Sequence, residues 1–170
     1  LTILATMVMA ITAAIQGVRQ NLDPFGVVVL AIVTSVGGGS LRDLLIGSTP
    51  VFWLVDMTYI ATVVPTALIT YIMVNAYGQR GGKRLAFLQY LDAIGLALFT
   101  LVGVQSALMA NLPSLSVIVL GCVTGVAGGM FRDMLCGLQP AILKQDLYAT
   151  ISLIGGLIYR VLIEYTDETL

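Results

Sequence analysis

Apolar residues run from Leu1 to Val18 without a charge, and these 18 residues approach the roughly 20 that a helix needs to cross hydrocarbon. Arg19-Gln20-Asn21-Leu22-Asp23-Pro24 ends the run, with Asp23 placed to cap the next helix and Pro24 at its first position. A second uncharged run extends from Pro24 to Leu41, and a third, led by Asp56, from Met57 to Tyr77 with Pro65 as a tolerated kink. The basic cluster Arg80-Gly81-Gly82-Lys83-Arg84 follows. Beyond it, Leu85 to Met109 carries one charge, Asp92, near its start; Asn111-Leu112-Pro113 turns; Ser114 to Phe131 spans; and Asp146 begins a last run reaching Tyr165. The pattern predicts an all-α polytopic membrane protein of six spans, residues 1–79 and 85–170 holding three each around a basic connecting loop at 80–84.

The two sets of three are copies. Thr34-Ser35-Val36-Gly37-Gly38-Gly39-Ser40-Leu41-Arg42-Asp43 recurs ninety residues on as Thr124-Gly125-Val126-Ala127-Gly128-Gly129-Met130-Phe131-Arg132-Asp133. The register holds without insertion from Thr34 to Asp56, with ten identities in 23 positions, which argues for an internal duplication. An odd number of spans per copy places the copies in opposite orientations, an inverted repeat of the kind many transporters use.

Glycines in mid-span weaken a helix by about 1 kcal/mol each, so Gly37 to Gly39 are expected to kink or open the second span, and Gly128 and Gly129 the fifth. An opening there would free the carbonyls of Thr34, Ser35 and Val36. Such oxygens, with the Thr34 and Thr124 hydroxyls, suit a partly dehydrated alkali cation. Close packing is the other use of these glycines, and both can hold. Ala31, Ser35 and Gly39 recur as Gly121, Gly125 and Gly129, a ridge of small residues four apart.

Arg42-Asp43 and Arg132-Asp133 carry more information, because a charge at the bilayer centre costs at least about 2.5 kcal/mol. Neighbours on a helix point about 100° apart, which predicts that neither arginine pairs well with its own aspartate. The expected partners are crossed, Arg42 with Asp133 and Arg132 with Asp43, or else carbonyls freed at the glycines. A charge at the membrane interface beyond a short helix is the remaining alternative.

Composition agrees on the solvent: mean hydropathy is +0.99 and only 10% of residues are charged, against about a quarter in soluble domains. The formal net charge of −1 suggests no nucleic-acid partner. Histidine is absent, no phosphate-binding loop is present, and Cys122 and Cys136 lack metal-ligand spacing, so neither an enzyme, a cofactor nor a resident metal is implied. Leu1 in place of Met suggests that the native start lies upstream. Alternating the six spans gathers Arg19, Arg80, Lys83, Arg84 and Lys144 on one side, which should be cytoplasmic, and leaves residue 1 outside. Trp53 fits an interfacial anchor, and Arg160 stands one turn before Glu164, compatible with local pairing.

The doubled motif GGGSLRDLLIG and AGGMFRDMLCG, the ninety-residue duplication and the Asp-led third span resemble the prokaryotic trimeric intracellular cation (TRIC) channel family, also catalogued as bacterial glycine transporters. The resemblance implies a homotrimer in the bacterial inner membrane, each protomer enclosing a wet pathway for potassium and sodium between broken second and fifth helices. Gly37, Gly38, Gly39, Arg42 and Asp43 carry over from the first copy, and Gly128, Gly129, Arg132 and Asp133 from the second. Three departures stand out: the family's seventh helix is absent before the chain ends at Leu170, Ala127 replaces a glycine, and the lysine motif of animal members is missing. The arginines are expected to be neutralised or to act as a gate, since an unpaired cation would repel potassium. The alternative reading is a secondary transporter for glycine or another small zwitterion, with Arg42 and Asp43 as partners for its two charges.

Overall fold

The computed structural model describes residues 1–76, 81–144 and 148–167. Each copy contributes two long helices, a short one and a further long one. In the first these are α1 (Thr2–Arg19), α2 (Pro24–Ile46), α3 (Phe52–Val55) and α4 (Thr58–Ala76). The second repeats the order as α5 (Gly81–Met109), α6 (Ser114–Leu135), α7 (Ala141–Lys144) and α8 (Tyr148–Asp167). Among the described residues α1, α2, α4, α5 and α6 are long and apolar enough to cross a membrane, and α8 adds a shorter apolar stretch, Thr150–Ile163.

Helix ends follow the local chemistry. Asp23 caps α2 through a 2.8 Å hydrogen bond from the Gly26 amide, with Pro24 at the first turn. Asp56 accepts from the Thr58 amide at 2.9 Å and so opens α4. The duplication extends into backbone conformation: Asn21 and Asn111 both take positive φ, 56° and 54°, where α1 and α5 end. Gly47 and Gly137 do the same after α2 and α6, at 79° and 66°. Exchanging Asp23 for alanine should remove one cap and cost about 1 kcal/mol, read as a small fall in the thermal midpoint in detergent with the fold retained.

Residues 81–84, expected in a connecting loop, belong to the first turn of α5, where Lys, Arg, Leu and Ala favour helix once past the glycines. Arg80 and Asp146 lie outside the described residues, as do the side chains of Lys83, Arg84, Lys144 and Glu164, so the basic cluster and the Arg160–Glu164 pairing have no structural description.

Within each copy the first and second long helices pack on each other and on the third: α1, α2 and α4 in one, α5, α6 and α8 in the other. The copies meet through α1 against α5 and α2 against α6. Small side chains dominate these contacts. Ala10, Ala13, Leu30, Ala31, Val63 and Ala67 form the first core, and Val104, Ala107, Val117 and Leu120 form the matching one. Large apolar groups such as Ile69, Ile72, Met73, Leu157, Ile158 and Leu162 point outward, as lipid permits and water would not.

The small-residue ridge does bring helices together. A Cβ on Gly125 would stand 2.5 Å from the Thr100 hydroxyl and 2.8 Å from the Leu96 carbonyl, so α5 and α6 touch along it. On α2 the equivalent Ser35 sends its hydroxyl 3.0 Å to the Thr6 carbonyl of α1.

Candidate functional site: the α2–α6 crossing and its two arginines

The expected breaks are not present. α2 is continuous through Gly37, Gly38 and Gly39, and α6 through Gly128 and Gly129. The glycines serve approach instead. A Cβ on Gly38 would collide with the Thr124 carbonyl oxygen, and one on Gly128 would stand 2.5 Å from the Thr34 carbonyl oxygen. Gly38 and Thr34 are the equivalents of Gly128 and Thr124, so the contact is reciprocal, and since numbers rise on α2 as they fall on α6, the helices cross antiparallel.

The carbonyls of Thr34, Ser35 and Val36 are therefore within a helix rather than freed. The Thr34 and Thr124 hydroxyls likewise turn back on their own helices, to Leu30 at 2.7 Å and Leu120 at 2.6 Å. Both threonines are buried, each 1% exposed, in this conformation. Gly37 has a further reason to be glycine, because the Phe131 ring fills the space a Cβ would need, at 2.6 Å. In the register of the duplication, Ala127 and Leu41 stand where Gly37 and Phe131 do, so a methyl on one side goes with a smaller side chain on the other.

Beyond the crossing lie the charges, and the crossed pairing expected from sequence is wrong. Arg42 donates from Nε and Nη2 to Oδ1 of its own neighbour Asp43, at 2.9 and 2.7 Å. Arg132 does the same with Asp133, at 2.9 Å from both nitrogens. The 100° separation applies to Cβ directions; the long arginine stem folds back over it and turns the guanidinium edge-on to the carboxylate. The second oxygen of each aspartate is used as well. Asp43 Oδ2 accepts from the Phe52 amide at 2.8 Å and Asp133 Oδ2 from the Ala141 amide at 3.2 Å, so each aspartate also caps the short helix that follows its span.

The two pairs differ in what else holds them. The Arg42 guanidinium lies over the Phe52 ring, 5.5 Å from its centroid, and Phe52 meets Tyr59 edge-on at 4.8 Å. Arg132 instead reaches Asp92 of α5, Nη1 to Oδ1 at 2.5 Å, with both side chains at most 6% exposed. Nothing in the sequence paired Asp92 with Arg132, forty residues away; the one signal was a lone charge in an apolar span. Trp53, read as an interfacial anchor, donates its indole N–H to the Ser40 hydroxyl at 2.9 Å and so ties α3 to α2.

Space is also unequal. A cavity of about 550 Å³ is walled by Arg42, Asp43, Phe52, Asp56 and Tyr59 of the first copy and by Ser106 and Met109 of α5. Its most buried lining groups are Arg42 and Asp43, at 6% and 5% exposure. Asp56 is fully exposed, and the Thr58 hydroxyl and amide hold its carboxyl below the ordinary aspartate value, so it is anionic at neutral pH. Among the described residues, the gap between Asp92, Asp133, Ala141 and Ile142 is too small to hold a water molecule, while the Asp133 side chain itself keeps 10% exposure.

This arrangement defines a polytopic α-helical membrane protein with arginine–aspartate pairs buried inside it. A glycine-transporter family model matches residues 1–75 and 89–164, one stretch in each copy. The chain belongs to that family, which is the TRIC family. It is 42% identical over 156 residues to a UPF0126 membrane protein of Vibrio cholerae, covering 91% of this chain and 63% of that protein's length. To the UPF0126 inner membrane protein YadS of Escherichia coli it is 40% identical over 161 residues, covering 94% and 75%. Among solved structures, a TRIC trimeric intracellular cation channel orthologue from Rhodobacter sphaeroides superposes with a TM-score of 0.89 at 34% identity, covering 96% of this chain and 82% of that one. A second TRIC cation channel superposes at 0.82 with 32% identity, covering 97% and 79%.

Proposed function

We propose that this protein is a homotrimeric channel for monovalent cations, potassium and sodium, in the bacterial inner membrane, with one passage per protomer where the two oppositely inserted copies meet at α2 and α6. The observation that carries the reading is the cavity of about 550 Å³ between the copies, which ends on a neutralised Arg42–Asp43 pair. A guanidinium quenched by its neighbour does not repel a potassium ion, and the ionised Asp56 at the wall leaves the lining one negative charge in surplus. The likeness to TRIC cation channels supports the same conclusion. With α2 and α6 continuous and in contact, conduction calls for their separation at Gly38 and Gly128, which makes the arginine pairs and this crossing the elements that gate. The cluster at Arg80–Arg84 then faces the cytoplasm and residue 1 the outside.

A carrier for glycine or a similar zwitterion is the second reading. It is favoured by the family model's description and by one cavity wall presenting both Arg42 and the anionic Asp56. Purified protein in planar bilayers and in liposomes separates the two. The channel reading expects unitary potassium currents with no saturable uptake of labelled glycine; saturable uptake without unitary steps would replace it with the carrier.

A further inference from the structure

We infer that Asp92 is a positioning residue that makes the two ends of the α2–α6 crossing mechanically unequal, so that the Arg42 end yields first and the Arg132 end last. The inference rests on the reading that a passage runs between the copies, and adds a direction to it. The register shows where the copies diverge: the equivalent of Asp92 is Thr2, and the equivalent of Phe52 is Ile142. One arginine is therefore held by a second carboxylate, the other by a ring.

The consequence is a difference in what each arginine ties together. Arg42 binds Asp43 on its own helix and rests on Phe52 of α3, all within one helix end and the turn after it. Arg132 joins α6 to α5 through Asp92 while its partner Asp133 holds α7. Moving α6 away from α2 at that end also shifts it against α5, and so requires parting buried opposite charges whose side chains are at most 6% exposed. At the other end the cavity already reaches Arg42, so water can follow the side chain as it moves.

The test uses thiol labelling of the full chain in liposomes, with Cys122 and Cys136 replaced by alanine. Single cysteines are introduced as Ser48→Cys, beside Arg42 in the cavity wall, or Ile142→Cys, beside Asp92 and Asp133. With Asp92 intact, a water-soluble thiosulfonate should modify position 48 quickly and position 142 slowly. Asp92→Asn, which leaves Arg132 paired with Asp133, should speed labelling at 142 by about tenfold without altering position 48, and Asp92→Glu should restore the slow rate. Equal rates at both ends with Asp92 intact overturn the proposal, and that comparison stands even if Asp92→Asn does not fold. Unchanged labelling at 142 in a folded Asp92→Asn protein overturns it as well. Labelling needs no current: a protein that labels as expected but never conducts keeps the brace and loses the channel reading.

Discussion

Valine at Gly128 is expected to yield almost no folded protein. The added Cβ would sit 2.5 Å from the Thr34 carbonyl oxygen, and a backbone carbonyl inside a continuous helix cannot swing aside as a flexible side chain can. The whole of α2 would have to retreat from α6. Overpacking of this kind costs about 3 kcal/mol when a helix must move, and valine's two further methyl groups leave little chance of a small adjustment. Gly38→Val, facing the Thr124 carbonyl in the reciprocal contact, should behave alike. The control is Gly155→Ala on α8, where nothing lies within 4 Å of the added methyl. That substitution should be neutral or gain up to about 1 kcal/mol from helix propensity. The yield of monodisperse protein after detergent extraction, with its thermal midpoint, reads all three; a Gly128→Val protein as stable as its parent would show that the crossing is not held closed by contact.

Arg132→Gln should be the next most damaging change, and clearly worse than Arg42→Gln. Removing Arg132 takes the shared guanidinium away from two buried carboxylates, Asp92 and Asp133. Breaking a buried ion pair by deleting one partner costs about 3–5 kcal/mol, most of it the unrelieved burial of the charge left behind. Removing Arg42 leaves one carboxylate rather than two, Asp43, and it lines a cavity that water can fill; the amide bonds from Phe52 and Ala141 survive alike in the two variants, so a smaller loss is expected. Adding Asp92→Asn to Arg132→Gln should recover part of the deficit by taking one stranded charge away. Denaturant titration in detergent measures the series, and equal losses for the two arginines would remove the argument that their surroundings differ.

How much of this was legible in the sequence depends on how local the determining physics is. Helix starts at Pro24 and Thr58 and the turn at Asn111 follow from a cap, a ring-locked φ and a residue tolerant of positive φ, all within a few positions. The doubling was legible because it is a comparison of the chain with itself. The use of the glycines was not, because helix weakening and helix contact draw on the same residue type, and only the facing carbonyls of Thr34 and Thr124 decide between them. The arginine partners were misjudged for a related reason. A rule about where Cβ atoms point says little about a side chain long enough to curl back, and Asp92 meets Arg132 only through the packing of α5 on α6.

At the crossing of α2 on α6, Gly38 meets Thr124 as Gly128 meets Thr34, which means that one copy carries both halves of that contact. A half-length polypeptide would hold, in a single stretch, both the glycine and the carbonyl with which to meet a second identical molecule in the same way. Linking the halves into one polypeptide changes what selection can act on: Thr2 with Asp92, and Phe52 with Ile142, are divergences that identical partners could never sustain, and they give the assembly a front and a back.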